Sequence, residues 1–119
     1  MPESLFERLG GAENVQKIAN SLVDNHRKNP LISTRFQKID VDPTKLVVAQ
    51  FISTGTGGPT NYTGEDMLSV HKGMNISPGE FMAMLDDALD ALTENGVGQP
   101  EQEEMLYILY SMRSEVVAV

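Results

Sequence analysis

His26 and His71 are the two histidines of the chain, and they carry most of the chemistry that the sequence offers. His71 follows the apolar turn 67–70 (MLSV) and precedes Gly73 by two residues. Neutral imidazole is a good ligand for iron, and one histidine can hold haem iron because the porphyrin supplies four further donors. A histidine without a ligand, at the surface or partly buried, produces the same pattern. The spacing alone favours this second interpretation, and both stay open at this point.

The composition argues against several other kinds of site. The chain has no cysteine, which excludes disulfides, thiolate metal sites and a thiol nucleophile. Two histidines are too few for a multi-histidine zinc site, and no phosphate loop, Ser-His-Asp pattern or nucleotide fingerprint occurs. The 17 acidic and 9 basic residues leave a net charge of -8, which disfavours nucleic acid and anionic membrane surfaces as partners.

The length and hydropathy predict one domain that covers residues 1–119 and is long enough to bury a core. The first residues do not resemble a signal peptide, and no apolar run is long enough to span a bilayer. We therefore expect a cytoplasmic protein that does not enter a membrane.

Hydrophobic periodicity and capping residues predict five helices and no strand, and therefore an all-α fold. The expected segments are a short helix after Ser4 that stops at Gly10-Gly11, a second over 12–26, a third from Asp42-Pro43 to about 55, a fourth from 77–80 (SPGE) to Asn95-Gly96, and a fifth from about Pro100 with Met105, Leu109, Met112 and Val116 on one face. Apolar residues surround most of the third helix, so we expect it to be largely buried.

The glycine-rich connection over residues 55–76 is the unusual part of this arrangement, because structureless connections of more than about 12–15 residues are uncommon and are often functional. It contains Tyr62, Met67, Val70 and Ile76 beside His71. This is too much apolar surface for a solvated linker. A flat apolar ligand would give the segment something to pack against.

Three stretches of the chain resemble the group I truncated haemoglobins: 5–11 (LFERLGG), 57–64 (GGPTNYTG) and 67–73 (MLSVHKG). The order and spacing also match, with the histidine nine residues after Tyr62. The resemblance covers nearly the whole chain. It implies an abbreviated globin fold, a two-over-two helical sandwich around one haem b, with His71 as the proximal iron ligand. Positions that match residues around the haem are Phe36, Thr44, Val47, Val48, Phe51, Ile52, Tyr62, Met67, Val70, Ile76, Phe81 and Leu109.

The departures from the family pattern lie on the side of the haem where the gas binds. Val23 stands where family members typically have tyrosine, and Thr44 and Val48 stand where a glutamine or another hydrogen-bonding residue is common. Val47 occupies the position of an iron-binding histidine that some members carry. Valine cannot donate a hydrogen bond. We therefore predict weak retention of dioxygen, reduced by roughly tenfold or more, and a smaller effect on carbon monoxide.

Two further features have competing interpretations. His26 lies on the apolar stripe of the second helix, so it could donate a hydrogen bond to a bound ligand or bind the iron itself. A partly solvated histidine, favoured at the end of a helix by the helix dipole, is the interpretation we prefer. Asp86, Asp87 and Asp90 could form an acid–base cluster, but their spacing favours a solvated helix face.

The resulting hypothesis is a haem b globin that binds oxygen, carbon monoxide or nitric oxide opposite His71. The sequence does not distinguish oxygen transport, gas sensing and turnover of nitric oxide, and it does not identify a partner reductase. Nitric oxide dioxygenase and peroxidase activities have weak support, so an enzymatic role stays undecided. The oligomeric state, monomer or weak dimer, is also open. The alternative is a globin-fold sensor or interaction module that has lost or altered its use of haem.

Overall fold

The computed structural model describes residues 3–62, 64 and 66–119, and its helices confirm the all-α prediction. Thr63 of the Tyr-Thr-Gly motif lies outside the described residues. The helices are α1 (Leu5–Arg8), α2 (Gly11–Lys28), a 3-10 turn (Ser33–Phe36), α3 (Val41–Gly55), α4 (Met67–His71), α5 (Pro78–Glu94), α6 (Gln99–Tyr110) and α7 (Arg113–Val116). Among these described residues the only extended pairing is a single parallel bridge between Ile76 and Val117.

The predicted helix starts at Ser4 and Ser77 are confirmed. The Ser4 hydroxyl accepts a hydrogen bond from the amide of Glu7 at 3.2 Å. At Ser77 the capping box is complete, since the hydroxyl accepts from the Glu80 amide and the Glu80 carboxylate accepts from the Ser77 amide, both at 3.1 Å. These reciprocal bonds satisfy amides that the first turn of a helix leaves unpaired.

Glycines are required at two places near α1, one for a turn with positive φ and one for a close contact. Gly10 and Gly11 have φ of +112° and +75°, a region that favours glycine, and they let the chain turn from α1 directly into α2. At Gly58 the constraint is space, because a β-carbon there would lie 2.4 Å from the ring of Phe6. The start of the chain therefore packs against the end of α3.

The main core lies where α2 packs against α3 and α5. One stripe of α2 is buried, as its helical spacing predicted, and includes Val15, Ile18 and Val23. Leu92 of α5 is 1% exposed within the same region. Each such side chain contributes about 1.5–3 kcal/mol when it is fully buried.

The prediction that α3 is largely buried is wrong. Only Ala49, Ile52 and Ser53 of this helix are buried, and Leu46 is 52% exposed. The physical reason is that α3 packs mainly against one helix, α2, so its other faces have no helical partner of comparable extent.

The last predicted helix is two helices, α6 and α7, separated at Ser111 and Met112. The break redirects α7 so that it packs against α4, the short helix that ends in His71. Leu109 and Val116 still share one apolar cluster with Phe81 of α5. The apolar spacing was therefore informative although the helix is not continuous.

Backbone hydrogen bonds tie the end of the chain to the segment after His71. The carbonyl oxygen of Val119 accepts from the amides of Gly73 (3.1 Å) and Asn75 (3.2 Å), and the amide of Ala118 donates to the Ile76 carbonyl at 2.9 Å. The connection that follows α4 is therefore held by the last residues of the sequence. No helix among the described residues has the length and apolar character needed to cross a bilayer.

Candidate functional site

A mostly apolar cavity of about 580 Å³ lies among α2, α3, α4, α5, α6 and α7. Its volume falls within the roughly 300–1,000 Å³ typical of sites for small molecules and cofactors. All of the site residues predicted from the sequence border it: Phe36, Thr44, Val47, Val48, Phe51, Ile52, Tyr62, Met67, Val70, His71, Ile76, Phe81 and Leu109. The fold thus brings together residues that are spread over most of the chain.

His71, the last residue of α4, is half-buried at the cavity wall. Its Nδ1 lies 2.8 Å from the carbonyl oxygen of Met67, one helical turn earlier. A carbonyl can only accept, so Nδ1 carries the proton and Nε2 keeps its lone pair. Histidines that bind metals usually donate their other N–H in this way, which orients the ring.

Asp66 fixes the start of this short helix. Its carboxylate accepts a hydrogen bond from the Ser69 amide at 2.8 Å, and this bond holds the pKa of Asp66 below its usual range. The ionised carboxylate caps the N-terminus of α4. The cap and the carbonyl of Met67 together define where the His71 ring lies.

Aromatic rings form two parts of the wall. The rings of Phe51 and Tyr62 meet edge to face with centroids 5.5 Å apart. The Tyr62 amide also donates to the hydroxyl of Thr54 at 3.2 Å, which attaches the connecting segment to α3. On another wall, Phe36 lies against the ring of His26.

Apolar side chains make up the cavity wall contributed by α2 and α3 at the positions where the family pattern has hydrogen-bonding residues. Val23, Val47 and Val48 all border the cavity. The hydroxyl of Thr44 donates to the Asp40 carbonyl at 2.8 Å, within its own helix turn. None of these four side chains offers an uncommitted hydrogen-bond donor to the cavity.

His26 and Asp87 differ from the interpretations that the sequence favoured. Both are buried, 6% and 7% exposed, and His26 Nδ1 lies 2.8 Å from Asp87 Oδ2. The side-chain amide of Asn29 donates from Nδ2 to both carboxylate oxygens of Asp87, at 3.1 and 3.2 Å. The expected solvation of His26 and of Asp87 is therefore wrong, whereas Asp86 and Asp90 are exposed as predicted.

The sequence contained a signal for the burial of Asp87. Asp87 lies four residues from both Ala83 and Ala91, which are also buried, so it shares their helix stripe. Burial lowers the pKa of His26 below its ordinary value. The hydrogen bond with Asp87 and the charge of its carboxylate raise this pKa, but by less than burial lowers it. The imidazole is therefore neutral near pH 7 and donates its Nδ1 proton to the carboxylate.

Arg35 and Glu80 form an ion pair at the cavity that the sequence analysis did not find. Arg35 donates two hydrogen bonds to the Glu80 carboxylate, one of them from Nη2 to Oε1 at 3.1 Å. These bonds, with the Ser77 amide bond, lower the pKa of Glu80 to about 2. The two residues are 45 positions apart, and no local pattern links them.

A short helical fold around a mostly apolar cavity, with an imidazole at its wall, is typical of the globin class. The family model described as Bacterial-like globin matches residues 4–118, and the chain belongs to that family.

The similar proteins are truncated haemoglobins, which confirms the resemblance noted in the sequence. A group 1 truncated hemoglobin of Tetrahymena pyriformis is 30% identical, with 98% of this chain and 96% of the relative covered. One from Chlamydomonas moewusii is 27% identical, with 98% of this chain and 69% of the relative covered. The crystal structure of the T. pyriformis protein in its Fe(III) form has the same fold, with a TM-score of 0.94 at 23% identity over 98% of this chain and all of that one.

Proposed function

We propose that this globin holds haem b through Nε2 of His71 and binds a small diatomic gas, oxygen, carbon monoxide or nitric oxide, on the other side of the haem plane. The observation that carries the proposal is the hydrogen bond from Nδ1 of His71 to the Met67 carbonyl. It leaves the ring in the tautomer that binds iron and aims it from the wall of a mostly apolar cavity.

The residues present fit this cofactor in three respects. The cavity has a volume suited to a large organic ligand, its walls are mostly apolar, and the His71 imidazole is available at the wall. When bound, haem supplies an iron with one coordination position open to a gas. Among the described residues, no cluster of three or more acidic or histidine side chains could hold a bare metal ion.

The valines at positions 23, 47 and 48 determine how the protein treats different gases. They border the cavity and donate no hydrogen bond. Dioxygen bound by ferrous haem is more polar than carbon monoxide, so it loses more from the absence of donors. We propose a globin with rapid release of dioxygen, which suits transport or sensing better than nitric oxide turnover.

The cellular setting is part of the same proposal. We place the protein in the cytoplasm, with the gas as its ligand and a reductase as the partner that would keep the iron ferrous. Nucleic acid and membranes are not proposed as partners, given the net charge of -8.

The decisive experiment is hemin titration of the purified protein and of His71→Ala. The wild type should develop an intense Soret band and a carbon monoxide complex typical of histidine-ligated haem. His71→Ala should lose that axial signature and regain it when free imidazole is added. Lys72→Ala, at the exposed neighbouring position, should behave as wild type.

Two results would contradict the proposal. A wild type that takes up no hemin would favour the alternative, a globin-fold module that does not use haem. An unchanged axial signature in His71→Ala would mean that another residue binds the iron.

A further inference from the structure

The buried pair His26–Asp87 has no role in holding the haem or in the apolar wall described above. It lies between α2 and α5, and His26 borders the same cavity as His71. An ionisable pair beside an otherwise apolar wall is costly to bury unless its hydrogen bonds are satisfied. Its arrangement therefore indicates a specific use.

The hydrogen bonds determine what His26 can offer to the cavity. Nδ1 is committed to Asp87 at 2.8 Å, so in the neutral ring the second nitrogen, Nε2, is an acceptor. No described residue forms a hydrogen bond with Nε2. Every enclosed side-chain nitrogen among the described residues has a hydrogen-bond partner, so Nε2 is not enclosed. His26 borders the cavity, so the accessible Nε2 can face it.

The surroundings hold the imidazole in place. Phe36 packs against the ring with centroids 5.1 Å apart and planes inclined by 32°. The side-chain amide of Asn29 donates hydrogen bonds to both oxygens of the Asp87 carboxylate and so fixes its orientation. A base whose orientation is set by a hydrogen-bonded carboxylate is the arrangement that enzymes use to accept a proton and stabilise the resulting imidazolium.

We propose that His26 is a proton acceptor for ligands that are weak acids, HX, such as hydrogen sulfide and hydrogen cyanide. This inference rests on the proposed haem function, with the iron in its ferric state. When the H–X bond breaks, Nε2 of His26 would take the proton and the electron pair would stay with the anion, for which a bound haem would supply the iron. Nothing is oxidised or reduced, and Asp87 stabilises the imidazolium.

A proton acceptor at His26 would favour the binding of weak acids HX over that of oxygen and carbon monoxide. Oxygen and carbon monoxide carry no proton to give up, so a group that only accepts gives them no hydrogen bond. The cavity would then combine weak retention of dioxygen with efficient capture of small weak acids.

The pH dependence follows from the charged groups that face His26. Asp87 of α5 contacts it directly, and the other ionisable residues at the cavity are the paired Arg35 and Glu80, Tyr62 and the proposed iron ligand His71. The HX association rate should decrease as the pH falls through the titration of His26. Glu80 and Arg35 remain charged over that range because of their ion pair.

The test compares ferric wild type with His26→Gln, whose amide can still donate to Asp87 but takes up no proton. With buffered sodium cyanide and sodium sulfide as probes, we expect HX association about a hundredfold slower in the variant, within the range typical of general bases. The pH dependence assigned to His26 should disappear.

Imidazole is the matched ligand control because it binds ferric haem without giving up a proton, and its binding should be the same in both proteins. Asp87→Asn should reproduce the HX defect because it removes the carboxylate that stabilises the imidazolium. Asp86→Asn, at the exposed neighbouring position, should not. Nitrogen-15 NMR of the ferrous carbon monoxide form should find Nδ1 protonated and Nε2 unprotonated.

Three results would overturn the inference: HX association unchanged in His26→Gln, an equal loss of imidazole binding, or a proton on Nε2. If hemin and carbon monoxide bind normally while these results are obtained, only the role of His26 fails. If the wild type takes up no hemin, both the proposed function and this inference fail.

Discussion

At the scale of single residues, the valines beside the cavity are responsible for the expected gas preference. Val23 is 1% exposed and borders the cavity, so its replacement changes the wall directly without altering the protein surface. The α2 backbone at this position is regular helix, which accepts an aromatic residue.

Val23→Tyr should slow dioxygen release by about tenfold, because a hydrogen bond contributes about 0.5–1.5 kcal/mol and 1.4 kcal/mol corresponds to a factor of ten. Carbon monoxide release should change much less. Stopped-flow measurement of both rates checks this. Val23→Phe is the control, since it adds the ring without the hydroxyl, and equal slowing by both variants would attribute the effect to ring size.

His26 should make stability depend on pH in a defined direction. Burial keeps its pKa in the folded state below the ordinary value of 6.5. As the pH falls below about 6.5, the unfolded state binds a proton that the folded state does not, so the free energy of unfolding decreases until the folded pKa is reached.

Urea unfolding of wild type and His26→Gln at neutral and mildly acidic pH measures this effect. The wild type should lose stability over that interval more steeply than the variant. Glu80, with its pKa of about 2, contributes only below its ordinary value of 4.5, so its effect lies in a separate range. Equal slopes for the two proteins would mean that His26 binds its proton equally well folded and unfolded.

At the scale of elements, the short helix α1 depends on contacts with the residues that follow α3. The amide of Phe6 in α1 donates to the Thr56 carbonyl at 2.9 Å, and its ring covers Gly58. This contact joins the first helix to the beginning of the connection that carries Tyr62 and His71. The glycine there is required by the space that the Phe6 ring occupies.

Gly58→Ala should destabilise the protein by about 1–3 kcal/mol, the usual cost of overpacking, because the new methyl group would displace the Phe6 ring. Gly55→Ala is the matched control. Gly55 ends α3, and a β-carbon there meets no atom within 4 Å. Thermal or urea unfolding measures both variants, and a Gly58→Ala protein as stable as Gly55→Ala would show that the ring moves aside freely.

At the scale of the whole molecule, the last residues of the sequence hold the segment that follows the proposed iron ligand. The final residues bond to Gly73, Asn75 and Ile76, directly after the proposed iron ligand. The acidic charge is spread over the surface, with exposed ion pairs such as that of Arg8 with Glu104. Such pairs add little stability on their own, so the backbone bonds after His71 matter more for the site.

Removal of residues 117–119 should accelerate hemin loss by about tenfold, because three backbone bonds, each contributing about 0.5–1.5 kcal/mol, no longer hold the segment after α4. Hydrogen exchange should increase at the Gly73 and Asn75 amides. The control is Ala118→Gly, which keeps the backbone bonds and suits the positive φ of 58° at that position. Unchanged exchange at both amides would contradict the role assigned to the chain end.

The sequence by itself was sufficient for features that depend on near neighbours. The caps at Ser4 and Ser77, the turn at Gly10-Gly11 and the stripe of α2 are local, since each involves residues within one or two helical turns, whereas the cap predicted at Asp42 is wrong because α3 begins at Val41. The place of His71 at the cavity followed from the motif around it, which resembles a known family, and its spacing alone was not sufficient.

Only the tertiary structure decided which side chains meet across the fold. His26 and Asp87 are 61 residues apart, and their burial depends on how α2 packs against α5. The exposure of α3 likewise depends on how few helices surround it, which its own hydrophobicity does not reveal. A buried hydrogen-bonded pair and an exposed apolar face both arise from the relative placement of distant elements, which local spacing does not specify.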